Sequence, residues 1–168
     1  MASVAPPARK SLLDRLLPDR VLGALAWALL AVVIVAVARG HADWAKVPRT
    51  IWFHLATTAV VLVLTPVMLT RRKGDRRHRQ LGWIWAGAMW ATALFSLTIP
   101  PANGRLVSPI ALLSVFVLVM VPRLILQARA HNVTGHRSTV RGLVIGALLI
   151  AGFFTFPFNR LLGQWLFG

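Results

Sequence analysis

Three histidines are the residues of this sequence whose type and spacing could do chemistry. His78 and His136 each stand just ahead of a long apolar run, and each is followed by an arginine, Arg79 and Arg137. His54 lies about one turn inside the start of another apolar run. An imidazole nitrogen is a common ligand of haem iron, and a ligating ring needs a second group that orients it. The chemistry that these residues could carry is therefore haem ligation.

Paired histidines near the ends of facing helices form the bis-histidine arrangement that holds haem in a cytochrome b. We expect His78 and His136 to face each other across a helical bundle, where they could bind one b-type haem. Arg77, Arg79 and Arg137 could then pair with the haem propionates as guanidinium–carboxylate contacts. Haem b is the one cofactor that the sequence suggests.

The same histidines also have interpretations without a cofactor. His78 and His136 lie at headgroup depth among several arginines, where they could be solvated or contact lipid phosphate. His54 has no histidine partner on the fourth span, His41 in the outer loop is a poor substitute, and an imidazole inside the apolar slab is costly unless it is paired. Thr57, Thr58 or a backbone carbonyl could satisfy His54. The sequence leaves both interpretations open.

Composition excludes or disfavours most other chemistry. The chain has no cysteine, which excludes disulfides, thiolate metal sites and thiol catalysis. No metalloprotease, nucleotide-binding or serine-hydrolase motif occurs. The acidic residues all lie outside the apolar runs, and they are Asp14, Asp19, Asp43 and Asp75. The sequence therefore favours a protein that is not an enzyme.

Five apolar stretches must position the histidines. A hydrocarbon core of about 30 Å needs roughly 17–25 apolar residues per helix, and backbone polar groups in lipid must pair within the segment. Because 57% of the residues are hydrophobic and only 14% are charged, we predict an all-α membrane protein with five transmembrane helices. The predicted spans are Val21–Ala38, Ile51–Thr70, Leu81–Ile99, Leu106–Val121 (continuing toward Gln127) and Gly142–Phe158.

The distribution of cations predicts how the chain is oriented. The net charge of +15 is spread between the apolar runs rather than along one basic face, which argues against a nucleic-acid partner. Most of the 19 Lys and Arg residues fall in the N-terminal segment and in the two loops that precede the third and fifth spans. The positive-inside rule then places the N-terminus in the cytoplasm and the C-terminus outside.

The predicted organisation has four parts. Residues 1–20 form a cytoplasmic segment with a short interfacial helix over Ser11–Arg20, and residues 21–50 form the first transmembrane helix and its outer loop. Residues 51–159 form a four-helix transmembrane core, and residues 160–168 form a tail on the outer surface. Five tryptophans are expected to lie at the lipid interfaces, namely Trp44, Trp52, Trp83, Trp85 and Trp165.

The last four predicted spans look like two copies of one helical hairpin. The loop GDRRHRQLGW carries His78 and the loop TGHRSTVRG carries His136, and each lies ahead of a helix that leaves the cytoplasm. Counting back from His136 by about the separation of His54 from His78 reaches Ala111. We therefore expect a bundle of two pseudo-repeated hairpins that keeps three of four histidines.

From about Ile51 to the C-terminus the sequence resembles an uncharacterised bacterial family of multi-pass membrane proteins, domain of unknown function 2306. The most specific segments are HRQLGWIW and the run from SPIALLSV through GHRSTVRGLVIGALLIAGFFTF. That family is distantly similar to the four-helix haem core of cytochrome b-561. The resemblance implies a location in the bacterial inner membrane.

The resemblance also bears on individual residues. His54, His78 and His136 match family histidines, whereas Ala111 stands where the family pattern reads SPIHLLS. The closing segment FTFPFNR also departs from the family pattern FTFLPGR. A second haem site on the outer side is therefore not expected in this chain.

Three functions follow from these observations. The first is an accessory or structural subunit that packs against a larger membrane complex, which the replaced histidine and the short loops favour. The second is a membrane electron-transfer protein that binds one b-type haem through His78 and His136. The third is a protein that handles lipid or a small molecule in the membrane. All three place the helices in contact with the lipid bilayer.

Overall fold

The computed structural model describes residues 16–99, 109–157 and 160–168, and within these ranges the chain forms helices and no strands. Four of the helices are long and apolar enough to cross a membrane. They are α1 (Asp19–Arg39), α2 (Arg49–Thr70), α3 (Arg76–Thr98) and α4 (Pro109–Arg129). The prediction of an all-α protein with several membrane-length helices is therefore confirmed.

The fifth predicted span is built differently from the other four. Helix α5 (Val133–Gly142) passes into a π-helical segment over Leu143–Ile150 and ends in a short helix α6 (Ala151–Phe153). The backbone stays in the right-handed helical region at both junctions, so these pieces form one continuous rod, called the fifth rod below. In the π-helical segment the N–H of Ala151 donates to the carbonyl of Gly146, five residues back. Such turns are rare, and a hydrophobicity pattern does not reveal them.

Polar caps, rather than the first apolar residue, set where two helices begin. Helix α3 begins at Arg76 because the carboxylate of Asp75 accepts the backbone N–H of His78 at 2.6 Å. Asn132 caps α5 in the same way by accepting the N–H of Gly135 at 2.8 Å. Both His-Arg pairs therefore lie inside the first turns of their helices and not ahead of them.

Some of the predicted boundaries lie outside the described residues. They include most of the interfacial helix predicted over Ser11–Arg20 and the beginning of the span predicted over Leu106–Val121. The span predicted over Gly142–Phe158 ends earlier than expected, because the helix stops at Phe153. The tail then forms a separate helix, α7 (Leu161–Phe167).

One apolar core joins helices α1 to α4 and the fifth rod. A Cβ at Gly23 on α1 would lie 3.3 Å from the Cβ of Pro66 on α2, so these two helices approach closely. Many large apolar side chains face outward on the same helices, and a soluble protein rarely exposes such a surface. Each rod contributes buried side chains to the core, among them Leu22, Ala26, Val61, Leu62, Trp85, Met89, Val117, Val121, Leu143 and Leu148.

The two ends of the bundle differ in chemistry. At the charged end, Asp19 at the start of α1 contacts Lys73 of the α2–α3 loop and Arg141 of α5. The starts of α1, α3 and α5 therefore lie at the same end. At the opposite, aromatic end, helix α7 packs against the end of α1 and the 3₁₀ segment Gly40–Lys46 that follows it. The rings that meet there belong to Trp44, Trp52 and Trp165.

Two of the five tryptophans expected at the lipid interfaces are buried instead. Trp85 is 5% exposed, and its indole N–H donates to the hydroxyl of Thr65 at 2.9 Å. Trp165 is 8% exposed, and its ring covers Gly40, where an added Cβ would overlap the indole. The expectation was wrong for these two residues because each indole packs against a neighbouring element. Trp83, at 61% exposed, does face outward.

Candidate functional site

His78 and His136 lie at the charged end, in the first turns of α3 and α5, and are close enough to interact electrostatically. The Nδ1 atom of His136 lies 3.2 Å from the carbonyl oxygen of Leu124 on α4. Since a carbonyl only accepts, Nδ1 carries the proton, and in the neutral ring Nε2 is then the nitrogen that can ligate a metal. The Nδ1 atom of His78 is buried and has no hydrogen-bond partner among the described residues.

This pair of imidazoles fits one part of a haem site. A histidine that ligates a metal usually donates its other ring N–H to a carbonyl or carboxylate, as His136 does. The unpaired Nδ1 atom of His78 is a second nitrogen that could ligate iron. No histidine borders the surface groove between α3 and α4 or the cavity at the aromatic end.

The three arginines expected to pair with propionates face outward. Arg79 donates from Nη1 to the carbonyl of Gly74 at 3.1 Å, which ties it to the α2–α3 loop. Arg137 places Nη2 3.8 Å from the carboxylate of Asp19 and remains 55% exposed. Arg77 is exposed as well. Two of the three thus already contact the protein, and all three can still reach an anion at the surface.

His54 lies far along the bundle from the other two histidines, toward the aromatic end, and is satisfied within the protein. Its Nδ1 atom lies 3.1 Å from the backbone carbonyl of Thr92 on α3. The hydroxyl of Thr92 donates to that of Thr57 at 2.7 Å, and the hydroxyl of Thr57 donates to the carbonyl of His54 at 3.0 Å. Thr58 contacts Thr92 at 3.5 Å. These bonds link α2 to α3 and give His54 a structural role.

The charged end contains a buried ion pair that the sequence analysis did not anticipate. The side chain of Arg141 is 8% exposed, and its Nη1 donates to Oδ1 of Asp19 at 2.7 Å. Its Nη2 donates to the carbonyl of Leu17, and Lys73 donates to Oδ2 of Asp19 at 2.8 Å. With 4 acids against 19 Lys and Arg residues, each carboxylate is a scarce partner. That imbalance between acids and cations could have pointed to the carboxylates as ion-pair partners, but only the fold determines which cation each acid contacts.

Asp75 is a second carboxylate at the charged end. Its oxygens accept the backbone N–H of His78 at 2.6 Å and face Nη2 of Arg71 at 3.4 Å. The hydrogen bond from His78, helped by Arg71, holds the pKa of Asp75 below its ordinary value. Asp75 is therefore ionised at neutral pH and stabilises the positive N-terminal end of α3.

A groove of about 380 Å³ runs between α3 and α4 on the outer surface of the bundle. The indole N–H of Trp90 donates to the carbonyl of Leu118 at 3.2 Å and fixes the register of the two helices. A Cβ added at Gly87 would meet no atom within 4 Å, so the groove is open at that point. The lining is almost entirely apolar and consists of Trp83, Ala86, Gly87, Trp90, Val121, Pro122, Ile125 and Leu126.

A second cavity, of about 440 Å³, lies at the aromatic end between the 3₁₀ segment, the start of α2 and helix α7. Asp43, Lys46 and Gln164 are among its lining residues, and Asp43 and Lys46 form an exposed ion pair at 2.6 Å. Among the described residues, no three histidine or acidic side chains are grouped so that they could hold a metal ion. This cavity therefore offers no metal centre built from such a group.

Comparison of the chain with protein-family models, with curated proteins and with solved structures finds no match. The similarity to domain of unknown function 2306 and to cytochrome b-561 therefore stays a prediction. The function of the chain has to be argued from its own residues and geometry.

Proposed function

We propose that this chain is an integral protein of the bacterial inner membrane that crosses the bilayer five times and serves as a non-catalytic subunit of a larger membrane complex. Four membrane-length helices support the membrane location. The fifth rod, with segments of 10, 8 and 3 residues, supplies the fifth crossing. The excess of cations at the charged end supports an N-terminus in the cytoplasm.

The absence of cysteine allows a direct test of the crossing number and orientation. Single variants Arg72→Cys, Ala130→Cys, Ala45→Cys and Gly168→Cys place a thiol at four exposed positions. With five crossings and a cytoplasmic N-terminus, a membrane-impermeant maleimide added to intact cells labels the thiols at positions 45 and 168. The thiols at 72 and 130 react only after the cells are opened. Labelling of position 168 only after opening would reject the fifth crossing.

The observation that carries the subunit role is the outer face of the fifth rod. A Cβ added at Gly142 or Gly146 would meet no atom within 4 Å, so these glycines do not serve packing within the bundle. Ile150 and Phe153 continue the same face and are 50% and 65% exposed. Glycines four residues apart let a partner helix approach closely in lipid. The face thus supports packing against a helix of another chain.

The internal use of polar groups supports the same role. The hydrogen bonds of His54 stay within the pair α2–α3, and the indole of Trp85 donates to Thr65 of that same pair. The guanidinium of Arg141 donates to the carboxylate of Asp19. Side chains that could otherwise perform chemistry are thus used to join helices, which is the pattern expected of a structural subunit.

Co-purification in mild detergent tests the subunit role. We expect the tagged chain to carry a companion membrane protein at a constant molar ratio, and we expect Gly146→Leu to release it by filling the open face. Gly87→Leu is the matched control, because position 87 is equally open but lies in the α3–α4 groove. The subunit role would be contradicted if the wild-type chain purifies without a companion. It would also be contradicted if Gly146→Leu retains the companion.

Haem binding is the second candidate function, favoured by the orientation of His136 through the Leu124 carbonyl. His78 and His136 would hold the iron, and the haem would supply a one-electron redox centre. Absorbance spectra of protein produced with ample haem test this idea. We expect a Soret band that shifts on reduction and is lost in His136→Leu but kept in His131→Leu, which alters an exposed loop histidine. No Soret band in the wild type would reject it.

A further inference from the structure

Two exposed arginines follow the lining residues of the α3–α4 groove toward the charged end, one on each helix. The bond between Trp90 and Leu118 sets the register of the antiparallel helices. One turn beyond Trp83 in that direction lies Arg79, and one turn beyond the last lining residues of α4 lies Arg129. Both arginines are exposed. An apolar slot thus leads to a pair of cations at one end.

We propose that this groove binds one acyl chain of an anionic phospholipid, with the lipid phosphate facing Arg79 and Arg129. A volume of about 380 Å³ lies in the range of small-molecule sites, roughly 300–1,000 Å³. The lining contains no acidic residue that would repel the headgroup. Guanidinium groups are the side chains best suited to phosphate oxygens, since their planar N–H donors match phosphate geometry.

The shape of the groove favours a lipid chain over a partner helix. Trp83 and Trp90 line the α3 side of the groove and are 61% and 44% exposed, so two large rings project where a helix would have to approach. The space lies between these rings, at Gly87, where no side chain fills it. A helix needs a broad face of small residues, whereas a narrow slot between bulky rings suits a flexible chain.

The position of Arg79 adds to the charge complementarity. Its Nη1 atom donates to the carbonyl of Gly74 in the α2–α3 loop, which restrains the guanidinium at the charged end of α3. Its remaining N–H groups are free to face an anion, because a guanidinium carries five donors. Headgroups of anionic lipids lie at this depth, where juxtamembrane cations attract them. The site therefore combines an apolar chain slot with a prepositioned phosphate contact.

Native mass spectrometry of the purified full chain tests the proposal, with phosphatidylglycerol and phosphatidylcholine of identical acyl chains added in turn. We expect one phosphatidylglycerol to remain bound under conditions that strip other lipid. Its preference over phosphatidylcholine is expected to reach tenfold or more, since each arginine near the headgroup contributes about fivefold. Equal retention of the two lipids would overturn the proposal.

Two sets of variants separate the chain slot from the phosphate contact. Gly87→Leu fills the slot, and we expect it to abolish retention of both lipids, whereas Gly142→Leu, at an equally open glycine on α5, leaves retention unchanged. Arg79→Gln with Arg129→Gln is expected to remove the preference for phosphatidylglycerol. Arg20→Gln with Arg72→Gln removes the same charge at other exposed positions and is expected to keep the preference.

Each remaining outcome decides against the proposal. A Gly87→Leu chain that retains phosphatidylglycerol as the wild type does would show that the groove is not the site. A Gly87→Leu chain that instead loses a companion protein would make the groove a helix-binding face. If both arginine double variants lose the preference for phosphatidylglycerol equally, the preference comes from net charge and not from Arg79 and Arg129. The arginine variants do not alter the core, so their result stands even if Gly87→Leu fails to fold.

Discussion

Arg141 and Asp19 form an ion pair with an Nη1–Oδ1 distance of 2.7 Å across 122 positions of sequence. The guanidinium is 8% exposed and the carboxylate 18% exposed. The pair joins the start of α1 to the fifth rod, and Lys73 links the α2–α3 loop to the same carboxylate. Replacing such a pair with apolar residues can be harmless, but removing one partner leaves an uncompensated buried charge.

We predict that Asp19→Asn destabilises the protein by about 3 kcal/mol, because the buried guanidinium of Arg141 then lacks a counter-charge. Thermal unfolding in mild detergent, followed by circular dichroism, measures the change. Asp43→Asn is the matched control, since it removes the carboxylate of an exposed pair with Lys46. We expect little change in that control. Equal unfolding temperatures for Asp19→Asn and the wild type would show that the buried pair does not hold the bundle together.

The contact between Gly40 and Trp165 leads to a second prediction. Gly40→Ala would place a methyl group into the indole ring of Trp165, so helix α7 must move away from α1. We expect a loss of about 1–3 kcal/mol, as for other overpacked sites, together with faster proteolysis of the C-terminal helix. Gly142→Ala, which meets no atom within 4 Å, serves as the control and is expected to keep wild-type behaviour. Similar proteolysis of both variants would contradict the proposed docking of α7.

Asp75 gives a prediction for pH. Its pKa in the folded protein is lowered, first by the hydrogen bond from the His78 N–H and also by Arg71. A lowered pKa stabilises the folded state above the ordinary carboxyl pKa, and this contribution disappears as the pH falls through the folded value. Asp75→Asn can still accept the N–H but does not titrate there. The excess unfolding temperature of wild type over Asp75→Asn should therefore shrink as the pH falls from about 6 to about 3. A difference that stays constant over this range would contradict the assignment.

The four long helices could be predicted from sequence because lipid imposes a simple requirement. A segment in the hydrocarbon region must be apolar and must satisfy its own backbone, so hydropathy alone found all four helices and located the ends of α1 and α2 to within about two residues. The helix starts were less well predicted. Asp75 and Asn132 extend α3 and α5 into polar sequence by capping them, and hydropathy does not detect a cap.

Features that depend on contacts between distant residues could not be predicted. The indole of Trp85 contacts Thr65 because of how α3 is rotated against α2. The position of Trp85 along α3 would be the same if the indole faced lipid, so sequence does not distinguish the two cases. The π-helical turns of Leu143–Ile150 lie in an apolar run that suits an α-helix equally well. The partner of Asp19 depends in the same way on the assembled bundle.

The histidines include one residue whose partner the structure identifies and two whose role stays a prediction. The sequence leaves two interpretations of His54 open, and the structure shows the one in which a backbone carbonyl, that of Thr92, pairs with its imidazole. For His78 and His136, a shared position ahead of two apolar runs led to the expectation that they lie together, and both lie at the charged end. Whether they ligate haem stays a prediction, because the orientation of the two rings is set by packing and not by spacing.

The contrast between the two ends of the bundle implies that dissolved ions act on them unequally. At about 0.15 M ionic strength, charges are screened beyond roughly 8 Å, and exposed pairs such as Lys73 with Asp19 weaken further as salt is added. The indoles that meet around Trp165 carry no net charge and are insensitive to this screening. Concentrated electrolyte is therefore expected to weaken the exposed ion pairs at the charged end more than the aromatic contacts of the C-terminal helix.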